Sequence, residues 1–279
     1  MNAIKTFFLM TMMTLLFLFV GSLIGGNSGM FIALIFAIIM NFTSYWFSDK
    51  IVLMSYGAKQ ISYEDDPELF EIVESLTTRA NLPMPKIYYI PSQAPNAFAT
   101  GRNPQNAAVA VTLGIRQILK RDELEAVIAH ELSHIKNRDI LIGSVAATLV
   151  GALTTLAHFA SYSLIFFGGG RDRDDDGGGL GTIFLLIIAP IAATLIQLAI
   201  SRSREFMADE GSARISGKPN SLANALLKLE RGNYELPLDA KPNSSHLFIM
   251  NPLSGGGIMK LFSTHPPVSE RVERLRKMG

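Results

Sequence analysis

The sequence predicts a mainly α-helical membrane chain with a small β-sheet: four apolar helices in two hairpins, and a polar domain assembled from two separate stretches. Three observations predict it. The 279 residues are 48% hydrophobic, with a mean hydropathy of +0.27. Only 18% are charged, below the roughly 25% usual for soluble domains. The apolar residues gather into four runs of near membrane-spanning length. The net charge of +1, from 25 Lys and Arg against 24 Asp and Glu, gives no electrostatic basis for binding nucleic acid.

The first hairpin is expected over residues 1–48. Runs 4–24 and 30–47 each approach the ~20 residues that cross ~30 Å of hydrocarbon, and only Gly25-Gly26-Asn27-Ser28-Gly29 separates them. A cleaved signal peptide is the competing reading of the first run, since Lys5 precedes its apolar core. That core is long, however, and a second run follows at once.

The first polar stretch, 49–139, carries Asp66-Pro67-Glu68 ahead of an amphipathic helix with Leu69, Ile72, Val73 and Leu76 on one face. Residues 86–90 and 107–112 read as short strands, with Gly101 and Pro104 marking the turn between them. A further helix opens at Arg121, where Asp122 and Glu125 stand at capping-box spacing. Leu124, Val127, Ile128, Leu132 and Ile135 form its buried stripe.

The second hairpin is expected over 140–200, from runs 140–167 and 180–200 joined by a Gly- and Asp-rich loop. A pair that dips into the bilayer without crossing it is the alternative. The second polar stretch, 201–279, reads as helical at 201–215 and 219–231, then looser, with a short helix near 268–277. Lys5, Lys50, Lys59, Lys136, Arg138, Arg202 and Arg204 flank the ends opposite the two hairpin turns. By the positive-inside rule, both termini and both polar stretches lie on the cytoplasmic side.

The chemistry sits at His130-Glu131-Leu132-Ser133-His134. Four residues are about 400° of helix, so both imidazoles point the same way and can bind one ion. The chain has no cysteine, so the ligands must be His and carboxylates. Zinc suits two imidazoles and a carboxylate, with the fourth position open for water, and Glu131 is placed to meet that water as general base. The third ligand expected is Glu205. His134 lies six residues before the third run and Glu205 five after the fourth, so an antiparallel helix pair brings them level. Asp209, one turn further, is placed to accept a hydrogen bond from a ligand imidazole. Glu210 points away from that face.

These residues, with Asn137 and Asp139 after the helix motif and Ser263-Thr264-His265-Pro266-Pro267 near the end, resemble the HtpX group of membrane metalloproteases. That group is related to the CAAX prenyl endopeptidases. The likeness runs over essentially the whole chain. It implies a zincin-like catalytic domain on the cytoplasmic side of a bacterial inner membrane, one Zn²⁺ held by His130, His134 and Glu205, and Glu131 as base. It implies cleavage of misfolded or damaged membrane proteins, or other unfolded polypeptides, in quality control under stress. It also makes His265 a candidate for stabilising the oxyanion. Asn96, Ala97, Phe98 and Ala99 become a substrate-binding stretch leading to the strand at 107–112, whose edge can bind an extended peptide. His158 and His246 match nothing in the family and read as non-catalytic.

Two rival readings come from other classes. A transporter with an incidental motif is disfavoured by the sparse polar residues in the apolar runs. A membrane scaffold with a structural metal would need a fourth protein ligand to close the site. No P-loop occurs, so no nucleotide is expected in cis.

Overall fold

The computed structural model describes residues 2–152, 202–235, 249 and 266–279. The loop and fourth apolar run of the expected second hairpin, and His158, His246 and His265, lie outside the described residues.

α1 (Asn2–Ser55) is two helical arms joined at Gly25 and Gly26. Gly26 has φ 56°, a left-handed conformation that glycine adopts without a Cβ clash. The arms run antiparallel: Asn41 Nδ2 donates to Thr14 Oγ1 at 2.8 Å, and the Phe17 and Phe36 rings meet edge-on at 5.2 Å. Among the described residues, one helix is long and apolar enough to cross a membrane, Gly25–Ser55. Ile4–Phe19 and Ile140–Ala152, the latter α5 here, are shorter apolar helices. The second arm continues past residue 48 because Val52 and Leu53 are buried against Ile90 and Phe98 of the sheet.

The sheet has the order β1-β2-β4-β3, from β1 (Lys59–Gln60), β2 (Lys86–Ile90), β3 (Ala97–Gly101) and β4 (Ala107–Thr112). β2 and β4 are parallel, while β3 runs antiparallel to β4. The turn at Gly101 and Pro104 therefore joins β3 to β4, not the two expected strands to each other. β3 escapes the strand pattern because Ala97-Phe98-Ala99-Thr100-Gly101 is rich in residues of low β-propensity. β4 is buried on both faces, as a central parallel strand must be. Val109 and Val111 face one hydrophobic core, and Ala108 and Ala110 face α1 and α5. The sheet thus lies between the apolar helices α1 and α5 and the larger core of the described residues.

The larger core packs α2 (Pro67–Ala80), α4 (Arg121–Lys136), α6 (Arg202–Ser216), α7 (Pro219–Glu235) and α8 (Val268–Arg276) on the sheet. α3 (Leu113–Ile118) is a single short turn into α4. Asp66 caps α2, its Oδ1 accepting from Leu69 N at 3.0 Å. The cap of α4 differs from the expected Asp122–Glu125 box. Its N-cap is Lys120, whose N–H donates to Glu123 Oε2 at 2.8 Å. Asp122 and Glu125 instead share Lys218 Nζ, each at 2.6 Å, which ties α4 to the start of α7.

Candidate metal centre

α4 is almost wholly buried because every side of it meets another element: α2 and the sheet on one side, α6 and α7 on the other. His130 and Glu131, at 0% and 3% exposure, are therefore core residues of a polar kind, and such groups need partners. Nε2 of His130 and Nε2 of His134 face each other at 3.2 Å. Glu205, on the first turn of α6, brings Oε2 to 3.7 Å from His130 Nε2 and Oε1 to 3.7 Å from His134 Nε2. One donor atom from each of the three lies within 4.8 Å of the others.

The opposite ring nitrogens are held by carboxylates. His130 Nδ1 is 3.0 Å from Asp209 Oδ1, and His134 Nδ1 is 3.4 Å from Asp139 Oδ2. Each carboxylate has an arginine behind it. Arg271, 1% exposed, donates through Nε and Nη2 to Asp209 and through Nη1 to the Ile249 carbonyl at 2.9 Å. Arg204 Nη1 lies 3.9 Å from Asp139 Oδ1. When the imidazoles are neutral, with Nδ1–H committed to a carboxylate, each Nε2 is a lone-pair donor aimed inward.

Glu131 is oriented from the sheet: the Ala99 N–H of β3 donates to its Oε2 at 2.8 Å. β3, rather than the 107–112 strand expected to offer an edge, is the edge of the sheet, because β4 pairs with β2 on one side and β3 on the other. Both outward groups of Ala97 are engaged. The Ala97 carbonyl accepts from Ile249 N at 3.3 Å, and Asn96 Oδ1 accepts from Ala97 N at 2.9 Å. Asn96 Nδ2 is buried with no hydrogen-bond partner among the described residues. Phe98 points to the other face of the sheet, against Tyr56, with ring centroids 5.9 Å apart.

The charges explain the protonation. Burial raises Glu131 to about 8. Burial lowers His130 to about 4, against the pull of Asp209. At His134 burial also opposes the charge, but the Asp139 hydrogen bond and the Glu205 and Glu131 carboxylates outweigh it and raise the group to about 9. Burial opposes ionisation of Asp209 too, yet Arg271 overrides it and holds the carboxyl at about 2. Four carboxyl groups, of Glu131, Asp139, Glu205 and Asp209, face two guanidinium groups. With neutral imidazoles, the fully ionised set is two negative charges in excess. Protons on Glu131 and His134 cancel that excess without an ion, and a dication would cancel it equally. The donor set fits zinc by type and by charge.

Of the sequence-predicted site residues, His130, Glu131, His134, Glu205 and Asp209 come together here, and the 96–99 stretch meets them through the Ala99 N–H, while the Phe98 side chain faces away. His265 lies outside the described residues, one position before Pro266. Glu210 turns away, its Oε1 3.9 Å from Arg274 on an exposed face. Arg271 and Arg204 were missed as site residues, and Asp139 entered only through the resemblance.

Residues 63–279 match the Peptidase family M48. The chain belongs to peptidase family M48. Within M48 it falls in the HtpX group. A "Protease HtpX homolog" from Aquifex aeolicus is 56% identical over 268 residues, covering 93% of this chain and 89% of that protein. Another from Syntrophotalea carbinolica is 54% identical, covering 100% and 99%. Among solved structures, that of S. mikatae Ste24p is similar with a TM-score of 0.52 at 19% identity. It aligns over 98% of this chain, which spans 65% of that one, and the likeness is one of fold.

Proposed function

We propose that this chain is a zinc-dependent membrane endopeptidase, cleaving misfolded or damaged membrane proteins at the cytoplasmic face of the inner membrane. The observation that carries the reading is the convergence of His130, His134 and Glu205 donor atoms within 4.8 Å, beside a carboxylate held by a sheet edge. Membership of a peptidase family supports the reaction type. The exposed apolar side chains of α1, among them Phe7, Phe31, Ile32 and Ile38, support a lipid setting, since patches of this size are rare on soluble surfaces. In this reading residues 1–48 and 140–200 are membrane hairpins, and 49–139 with 201–279 form the catalytic domain.

His130, His134 and Glu205 would hold one zinc ion. When bound, zinc supplies Lewis acidity that polarises a carbonyl and makes water nucleophilic near neutral pH. Glu131 takes the proton from the attacking water and later delivers it to the leaving amine. The Ala99 N–H fixes Oε2, so Oε1 is the atom that carries the proton. Asp209 and Asp139 keep both imidazoles in the tautomer that presents Nε2. The substrate backbone lies along β3 at Asn96, Ala97, Phe98 and Ala99. The Ile249 N–H on the Ala97 carbonyl marks the kind of donor such a strand would bring. His265 carries over from the family resemblance as the group that steadies the oxyanion.

Purified full-length protein, handled without chelators, should contain one zinc per chain and digest casein in a chelator-sensitive manner. Glu131→Gln should retain the zinc and lose about 10²-fold or more in turnover. A wild-type protein without stoichiometric metal would remove the reading. Full activity in the Gln variant would remove Glu131 as base.

A further inference from the structure

We propose that the recess between the foot of α1 and the beginnings of β2 and β4 binds the phosphodiester headgroup of an anionic membrane lipid. The inference rests on the reading that the second arm of α1 lies in a bilayer. That arm carries no charged residue from Gly25 until Asp49 and Lys50. From Gly25 to Trp46 it rises about 31 Å, close to the thickness of the hydrocarbon layer. Phe42, Tyr45, Trp46 and Phe47 then form an aromatic collar, all between 38% and 58% exposed. Aromatic residues followed by the first charges are what a helix presents at a membrane surface.

At this level the sheet approaches and closes a recess of about 620 Å³, a size suited to a small polar ligand. Three cations from three elements line it: Lys50 from α1, Lys86 from the start of β2, and Arg102 from the β3–β4 turn. One carboxylate, Asp49, shares the lining. None of the three cations has a carboxylate partner among the described residues. Two are propped on the aromatic collar instead. Arg102 Cζ lies 4.5 Å from the Trp46 ring centroid, and Lys50 Nζ lies 5.5 Å from that of Phe47. The turn presenting Arg102 is stiff, because Asn103 Oδ1 accepts from both the backbone and the side-chain nitrogen of Asn106.

Uncompensated cations beside aromatic rings, at the depth of lipid phosphates, complement an anionic headgroup. Ile39 and Phe42, exposed along the arm above, continue the recess with apolar surface where the acyl chains of that lipid would run. A zwitterionic lipid would bring its own cation to a cationic wall. The occupant is therefore an anionic phospholipid rather than lipid in general.

Trp46 is the chain's one tryptophan, so its fluorescence reports on this recess alone. The full chain would be reconstituted in phosphatidylcholine vesicles doped with chain-brominated phosphatidylglycerol or, at equal mole fraction, chain-brominated phosphatidylcholine. The anionic lipid should quench Trp46 with about tenfold higher apparent affinity. Lys86→Gln and Arg102→Gln should bring that ratio close to one, while Arg102→Lys, which keeps the charge, should preserve it. Lys50→Gln provides an independent variant should either substitution disturb folding. Equal quenching by the two lipids, or a preference that survives every Gln variant, would overturn the headgroup site and leave the bilayer reading standing. Absence of quenching by both lipids would remove the bilayer reading itself. Loss of the preference on adding soluble glycerol phosphate would assign the recess to free phosphate esters, and the lipid proposal would fall.

Discussion

Arg271 grips Asp209 through two nitrogens, Nε to Oδ2 at 2.9 Å and Nη2 to Oδ1 at 2.6 Å, where neither side chain is more than 3% exposed. The pair joins the last helix to α6 and sets the face that Asp209 turns to His130. A buried ion pair contributes little beyond an apolar substitute, yet removing one partner strands the other charge. Arg271→Met should therefore cost about 3–5 kcal/mol of stability. Asp209→Asn keeps the shape but weakens the hold on His130, and zinc affinity should fall about 10- to 100-fold. Thermal melts and competition against a chelator separate the two effects. Unchanged zinc affinity in Asp209→Asn would show that the contact is structural only.

The protonation pattern predicts what zinc displaces. Glu131, at about 8, and His134, at about 9, both hold protons at pH 7 in the metal-free protein. Ligands must be free of protons to bind a metal. Zinc binding at pH 7 should therefore release at least about one proton, from His134, and up to about two if Glu131 also ionises. Calorimetric titration in buffers of different ionisation enthalpy measures this directly. Release of no proton would contradict the charge balance drawn for the site.

The same groups fix how metal-free stability varies with pH. His134 is raised above its unfolded value, so its contribution is complete below about 6.5 and is lost as pH rises through about 9. Glu131, raised from 4.5 to about 8, makes ionisation costly in the fold, so its contribution is complete below about 4.5 and is lost as pH rises through about 8. His130, lowered to about 4, acts oppositely and destabilises the fold as pH drops from 6.5 towards 4. Between about pH 4.5 and 6.5 the His130 and Glu131 contributions offset each other, so metal-free protein should hold a plateau of stability there and melt progressively lower from about pH 6.5 to 9. A melting temperature that rises between pH 7 and 9 would contradict these assignments.

Much of this site could be read from the sequence because helices convert spacing into geometry. His130 and His134 are one turn apart, and Glu205 and Asp209 repeat that spacing on the helix that meets them. Arg271 was not found, being one of 25 cationic residues and far along the chain. The signal was nevertheless present. Val268, Val272 and Leu275 form the buried stripe of α8, and Arg271 sits inside it, where a charge needs a buried partner. The strands were less legible. β3 lacks β-branched residues apart from Thr100, and the parallel pairing of β2 with β4 depends on contacts that no local pattern encodes. Asp139 lies beyond the end of α4, where helical periodicity no longer says which way a side chain faces.

Gly211 on α6 faces Ser133 on α4, and a Cβ there would stand 2.3 Å from Ser133 Oγ and 2.8 Å from its Cβ. The close approach is what lets Glu205 reach both imidazoles. Gly211→Ala should force the helices apart and destabilise the fold by about 1–3 kcal/mol, with a loss of zinc affinity. Combining it with Ser133→Gly removes both clashing atoms and should restore most of each. Wild-type melting and zinc affinity in Gly211→Ala would show that the two helices are not locked at this contact.

The Ala99 N–H points at Glu131 instead of into the sheet, so this donor can be removed while the β3–β4 ladder keeps its own bonds. Proline lacks the N–H and is tolerated on edge strands. Ala99→Pro should therefore leave the zinc content intact and free Glu131 Oε2 to rotate. A hydrogen bond to a charged group contributes about 1.5–3 kcal/mol, so turnover should fall roughly 10- to 100-fold. Loss of the donor also removes an influence that lowers the Glu131 pKa, so the rise of activity with pH should shift upward. Zinc analysis, kcat and a pH–rate profile on the same preparation test each part. Wild-type kcat and an unmoved profile would mean that Glu131 is oriented by something other than the strand.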